Sequence, residues 1–451
     1  MKPRVLRSRS PEFKKFLAAL LDRRGGDSAN IDRSVATIIE DVRKRGDRAL
    51  IAMTQKFDRV KLKASTLQVT RAERRAALNK IPAADRKTLE LAARRIAEFH
   101  RRTMEKSFSY RDPTGMRLGQ MVLPLSRVGI YVPGGLGAYP SSVLMNAIPA
   151  KVAGVAEVVM VSPPSREGER LAVLAAAAIA GVDEFFRIGG AQAVAALAYG
   201  TESIRPVDKI VGPGNAYVQA AKRMVYGVTD IDKMAGPSEV LVIADDSARP
   251  DWIAADLIAQ AEHGSGDEAA VLLTPSASIA QEVADAIERA LESLPRARQV
   301  ETALSKRGAM VIVKDLNEAF DLANEIAPEH LELEIRNPSR WLPRVKAAGA
   351  VFLGGLSPAP LGDYLAGPNH VLPTGGAARF ASPLGAYDFL KRTSIIEASS
   401  GALKALGPAV AHLARMEGFE GHARAIEIRN GASKRARGAR RTGEHRNAKE
   451  A

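Results

Sequence analysis

From about Met121 to Gly355 the chain alternates short β-rich runs with alanine-rich stretches. The runs are RVGIYV, EVVMVSP, FFRIGG, DKIVGPG, EVLVIAD, AAVLLTP, AMVIVKD and GAVFLGG. This alternation leaves few folds open. A strand that is apolar along its whole length must be covered on both faces, and a helix between successive strands covers them while joining them in parallel. The expectation is therefore an α/β fold with parallel sheets. Two sheet-bearing domains are plausible, because the pattern fills two stretches, near 125–235 and 238–355. Residues 31–106 read as helical, with Leu89, Leu91, Ala92, Ile96 and Phe99 at helix-like spacing. Several of the β-rich runs end in Gly, Pro, Ser or Asp, and open α/β sheets bind ligands in such loops, beyond the carboxyl ends of their strands.

Composition narrows the chemistry. Apolar residues make up 46% and charged residues 26%, enough for a large core. There is no cysteine. Disulfides, Cys-based metal sites and thiol nucleophiles are excluded, so any metal must be held by His, Asp, Glu or amide oxygen. The net charge is +14, but residues 1–15 carry six basic residues against one acidic, and residues 430–451 seven against two. The excess sits on the two tails, which argues against nucleic-acid binding as the main role. The longest apolar run, Leu171–Val182, is too short to span a bilayer. The basic N-terminus is followed by no apolar stretch, so a cytoplasmic protein is expected.

Several polar segments need explaining. Gly-rich loops follow predicted strands at 131–137 (Tyr-Val-Pro-Gly-Gly-Leu-Gly), 189–192 and 212–215. Each alone fits a tight turn; three in one α/β region favour a nucleotide site. Neither GxGxxG nor a P-loop occurs. Gln260 and His263 share a helix face at i, i+3 spacing, which fits part of a metal site or a capped helix end. Glu329 and His330 follow Pro328 where a strand begins, offering two proton-transfer groups in one loop. Asp363 and His370 lie in the polar segment 362–370, and Glu417 and His422 in the C-terminal region.

Taken together, the segments YVPGG, GGAQA, GPGNAYV, AGPSEVLVIAD, QAEH, APEHLE, GDYLAGPNHVLP and EGFEGH resemble the histidinol dehydrogenase family, in the family's order and over about residues 25–430. The resemblance implies two Rossmann-like parallel-sheet domains without the GxGxxG fingerprint, plus small helical terminal regions. Its implied boundaries are a basic N-terminal segment at 1–25 and a first α/β domain made of 26–130 with 240–384. A second α/β domain follows at 131–239, then a small helical C-terminal region at 385–430 and a disordered basic tail at 431–451.

The implied activity is the oxidation of L-histidinol through L-histidinal to L-histidine, the last steps of histidine biosynthesis, with two NAD reduced. The implied Zn2+ ligands are Gln260, His263, Asp363 and His422, and the acid–base pair is Glu329 and His330. Substrate contacts fall on Ser238, Glu417, His330 and the metal ligands, and NAD contacts on Tyr131, Gln192 and Asn215. The family is a homodimer in which Glu417 and His422 would serve the partner's site. The absence of cysteine fits this chemistry. Without a thiohemiacetal, an aldehyde is oxidised most simply as its hydrate, and a Glu beside a His supplies one base for water and one for the alcohol proton. Two features depart from the family pattern: Lys233, where Met is commoner, and the basic tail. A relative oxidising another polar alcohol, such as a sulfonated diol, is a rival reading; the Glu417 carboxylate opposes it, because it suits a cationic substrate.

Overall fold

In the computed structural model the described residues are 3–22, 29–134, 138–164, 171–234, 236–264 and 266–430. The expected tail at 431–451 lies outside them. The chain divides into two units, Met1–Met104 with Leu125–Phe389, and Glu105–Pro124 with Leu390–Ala451.

The first unit holds two six-stranded sheets. One runs Val5–Arg7, Gly308–Ile312, Ala269–Thr274, Glu239–Ala244, His330–Glu334, Ala350–Leu353, with every pairing parallel. The other runs Gln68–Val69, Glu184–Phe186, Glu157–Val161, Arg127–Tyr131, Lys209–Val211, Asp230–Ile231, parallel except for its first strand. Each sheet takes its first strand in sequence at one edge; the other five start at an interior strand, wind outward toward that edge, then return to wind outward on the other side. That is the doubly wound order 3-2-1-4-5. All eight β-rich runs read from the sequence contain strands, and the strand expected after Pro328 is there too, at His330–Glu334.

Alternation along the strands explains why both faces are covered. In the first sheet Val240 and Val242 pack with Ile253, Leu257, Val283 and Ile287, while Leu241 and Ile243 pack with Phe13, Phe16 and Phe320 on the other side. The helix Ala29–Arg45 buries Val35, Ile39 and Val42 in one stripe, and Leu50 follows from Asp47–Phe57. These residues share a cluster with Tyr131, Val159 and Val194. The expected grouping of 26–130 with 240–384 therefore differs here: this amphipathic stripe covers the 131–239 sheet. The N-terminal segment also contributes a strand, Val5–Arg7, whose three residues are too few to show a pattern.

The second unit was expected to be helical over 385–430. It contains the helix Ser400–Met416 and a further helical run at 420–430, but also a strand, Leu390–Glu397, pairing antiparallel with Arg117–Pro124 beside Phe108–Arg111. This strand is mostly exposed, so no buried apolar run betrays it. Among the described residues the unit's buried cluster is Ala411, Ala414 and Ala423, while Phe108, Tyr110, Leu413, Met416, Phe419 and Ile428 are exposed. Among the described residues no helix is long and apolar enough to cross a membrane.

Candidate active site

Glu329 and His330 stand at the amino edge of the first sheet. The helix Leu316–Ile326 ends at Ala327, in the left-handed region at φ 52°, and Pro328 turns the chain into the strand His330–Glu334. The register places His330 opposite Val240, so Glu329 lies beside Glu239. Neither residue sits in an exposed turn: Glu329 is 6% and His330 4% exposed. The Glu239 amide donates to Glu329 Oε2 at 2.9 Å, and His330 Nδ1 lies 3.0 Å from the Glu239 carbonyl oxygen. A carbonyl only accepts, so Nδ1 carries the proton and Nε2 is the position left to take one. Nε2 makes no hydrogen bond and points toward Asp363 Oδ1 at 3.6 Å. Burial pushes the Glu329 carboxyl up to about 7, partly offset by the neighbouring imidazole. Burial pulls His330 down, but Glu329 and Asp363 outweigh it and the net shift is upward. Although adjacent in an extended chain, the two side chains come to 3.7 Å between His330 Nδ1 and Glu329 Oε2.

Gln260 lies in the last turn of Pro250–Ala261, and His263 just beyond it, past the cap at Glu262. Their side chains still meet, at 3.4 Å between Gln260 Nε2 and His263 Nδ1. Asp363 comes from the short helix Ala359–Tyr364. Burial lowers the His263 pKa, which keeps the ring neutral, although Asp363 opposes the shift. Burial would raise Asp363, but the nearby His330 imidazole, with His370 and His263, carries the net shift downward. A neutral imidazole and an ionised carboxylate are the forms that ligate a metal, and the Gln260 amide adds an oxygen. Among the described residues no three His, Cys, Asp or Glu form a metal cluster, so this set needs the amide and a further ligand. His370 Nδ1 lies 2.8 Å from the Asp363 carbonyl oxygen and its Nε2 lies 3.5 Å from Ser142 Oγ, a buttressing position behind Asp363. Ser238 is half-buried immediately before the strand Glu239–Ala244.

The nucleotide candidates gather at the carboxyl edge of the other sheet. Tyr131 ends its strand, Gln192 lies in the first turn of Gly190–Tyr199, and Asn215 caps Ala216–Val225 through bonds from the Tyr217 and Val218 amides, each 3.1 Å. All three line one cavity of about 990 Å³. The Tyr131 hydroxyl accepts from the Gly190 amide at 3.0 Å, which ties two of the Gly-rich loops together. Gly212 requires φ +110°, and a Cβ there would collide with the Tyr131 carbonyl oxygen. Of the loop at 131–137, residues 135–137 lie outside the described residues.

Glu417 and His422 are in the second unit. Glu417 caps Ser400–Met416, and His422, exposed, lies in the helical run at 420–430 with its ring 5.2 Å from that of Phe419. Lys233 is buried, its Nζ 3.5 Å from the Val371 carbonyl oxygen, beside His370 but bonded to none of the candidate side chains. Sequence reading missed Glu239, Ser142 and Phe352. Glu239 acts through its backbone, which no side-chain pattern reports. Phe352, with its ring 5.9 Å from that of His330, sat in a run read only as a strand.

The histidinol dehydrogenase family model matches residues 21–430. The chain belongs to the histidinol dehydrogenase family. The histidinol dehydrogenase of Bordetella parapertussis is 53% identical over 94% of this chain and 96% of its own length. That of Neisseria gonorrhoeae is 51% identical over 94% and 99%. The crystal structure of the Elizabethkingia anophelis histidinol dehydrogenase is 34% identical, with a TM-score of 0.89, and covers 96% of this chain and 99% of that one.

Proposed function

We propose that this histidinol dehydrogenase family member oxidises L-histidinol through L-histidinal to L-histidine with NAD, and so completes histidine biosynthesis. The observation that carries the reading is the buried Glu329–His330 pair, held by the Glu239 backbone with His330 Nε2 free and facing Asp363. NAD would supply the hydride acceptor, and Gln260, His263, Asp363 and His422 of the partner subunit would hold Zn2+, which would serve to orient the substrate. In the first oxidation His330 Nε2 takes the alcohol proton as the carbon loses hydride. Glu329 then takes a proton from the water that adds to the aldehyde. His330 returns its proton to the aldehyde oxygen as the water adds, then takes a hydroxyl proton again as the hydrate loses hydride. The product carboxyl group releases its remaining proton to leave the carboxylate. Tyr131, Gln192 and Asn215 hold the nucleotide, and Ser238 contacts the substrate. Glu417 of the partner subunit pairs with the substrate ammonium.

A homodimer is supported by the second unit, whose alanine cluster is small and whose exposed Phe108, Tyr110, Leu413, Met416 and Phe419 would be covered by a partner subunit. A cytoplasmic location fits a biosynthetic enzyme that draws on the NAD pool. The deciding experiment is NADH formation with L-histidinol before and after chelation. Activity should vanish with the metal and return with Zn2+; full turnover by metal-free protein would end the reading of the metal site. No NADH from L-histidinol under any loading would end the activity itself.

A further inference from the structure

The nucleotide cavity contains a carboxylate with an unsatisfied oxygen. Asp58 caps the helix Asp47–Phe57, its amide bonded to the Thr54 carbonyl oxygen at 2.9 Å, and lines the cavity with Lys56 and Phe57. Tyr131, Gln192 and Asn215 line the same space. Asp58 Oδ2 is shut off from solvent and accepts no hydrogen bond from any described group. Burial alone pushes this carboxyl up to about 6, so at neutral pH it is mostly ionised. Lys56 places its ammonium over the Phe57 ring, 5.3 Å from the centroid. Buried acceptors are seldom left unpaired, and one at the wall of an open cavity marks a place where a ligand completes the bonding.

The chemistry of a dinucleotide narrows what that ligand group is. Its phosphates repel a carboxylate, whereas the vicinal hydroxyls of a ribose present two donors to one carboxylate. There are two riboses. The nicotinamide end must reach the site of hydride loss. Tyr139, on the cavity wall, marks that direction, because it interacts electrostatically with Tyr364, the residue after Asp363. Asp58 enters instead from the helices that cover the nucleotide sheet, with Ser34, Thr37 and Ile38 of Ala29–Arg45.

We propose that Asp58 binds the hydroxyl pair of the adenosine ribose and selects NAD over NADP, whose 2′-phosphate would meet the same carboxylate. The assignment rests on reading this cavity as the dinucleotide site. In dinucleotide folds with the glycine fingerprint the acid follows about 20 residues after the glycines. Here a helix outside the sheet supplies it, in keeping with the missing fingerprint.

Equilibrium binding tests this without turnover. NADH and NADPH fluorescence titrations on the full-length protein should show NADH bound at least tenfold more tightly. Asp58→Asn should weaken NADH by about tenfold, the scale of one charge-assisted hydrogen bond, and narrow the NADH/NADPH ratio. On the unaltered protein, ADP-ribose should displace NADH while its 2′-phosphorylated analogue competes at least tenfold less well, a result that needs no variant to fold. An unchanged NADH/NADPH ratio in a folded Asp58→Asn protein overturns the role of Asp58 and leaves the pocket standing. Equal competition by the two ADP-ribose analogues does the same. Absence of saturable NADH binding by the unaltered protein overturns the pocket and this assignment together.

Discussion

In the sheet built on Arg127–Tyr131, the candidate residues follow the carboxyl ends of the strands and line the cavity there. In the sheet built on Glu239–Ala244, which has the same strand order, they precede the amino ends: Ser238 before one strand, Glu329 and His330 at the start of its neighbour. The opposite edges of a parallel α/β sheet differ electrostatically. Helices begin at the carboxyl edge, so their amide ends converge there and favour an anion. Pro140–Ala153, Gly190–Tyr199 and Ala216–Val225 all begin at the cavity edge of the nucleotide sheet. Helices end at the amino edge, where carbonyl ends favour a cation. Pro250–Ala261 and Leu316–Ile326 end there, next to Gln260, His263 and Glu329. One strand order thus offers an edge that favours an anion and an edge that favours a cation, which suits the proposed division between nucleotide and metal.

The largest test of this division removes the proton-transfer groups. Glu329→Gln and His330→Gln should each lower turnover by about 10²- to 10⁴-fold while leaving NADH binding unchanged, because the nucleotide cavity belongs to the other sheet. Glu329→Gln should slow histidinal oxidation more than histidinol oxidation, since only the former needs water activated. A carboxyl raised to about 7 must lose its proton to act as a base, so the histidinal step should fall as pH drops below about 7. In Glu329→Gln that limb should flatten. Separate single-turnover measurements from histidinol and histidinal read both effects; loss of NADH binding in either variant would break the separation of the two edges.

Residue patterns made much of the first unit legible and little of the second. Eight β-rich runs announced eight strands because buried parallel strands are largely apolar, whereas Leu390–Glu397 is exposed along most of its length and carries no such run. The Gly-rich loops pointed to the carboxyl edge, as open α/β sheets suggest. Glu329 and His330 could be picked out as residues, but not their place at an amino edge, which depends on which strand pairs with which. Their contacts were hidden for the same reason: they are made with Glu239 and Phe352, remote in sequence. Asp58 escaped notice because an Asp after Phe57 reads as an ordinary helix end.

A smaller effect tests the proposal that His422, in the second unit, completes the metal set of a partner subunit. His422→Asn and His330→Asn homodimers should each be nearly inactive. If His422 serves the partner's site, a mixed dimer holds one site with both lesions and one with neither, and verified heterodimers should recover about half the activity by counting sites in a two-fold dimer. Recovery of nothing would place His422 in its own subunit's site, and NADH binding should be normal in every combination.

The smallest expected effect concerns Asn215, which has two roles to separate. Its side-chain oxygen accepts from the Tyr217 and Val218 amides, so it caps a helix, and it also lines the nucleotide cavity. Asn215→Ala removes the cap and should cost about 1 kcal/mol of stability, within the usual range of 0.5–2 kcal/mol for such caps. Asn215→Asp keeps an acceptor in the same place and adds a charge that suits a helix N-terminus, so unfolding should match the unaltered protein or exceed it slightly. The same carboxylate faces the space assigned to the nucleotide. If Asn215 meets NAD, the Asp variant should keep its stability yet bind NADH less tightly, and raised ionic strength should narrow the loss. If the residue is only a cap, denaturant unfolding and NADH titration will both leave the Asp variant indistinguishable from the unaltered protein. The carboxyl edge would then rest on Tyr131, Gln192 and the helix amides alone.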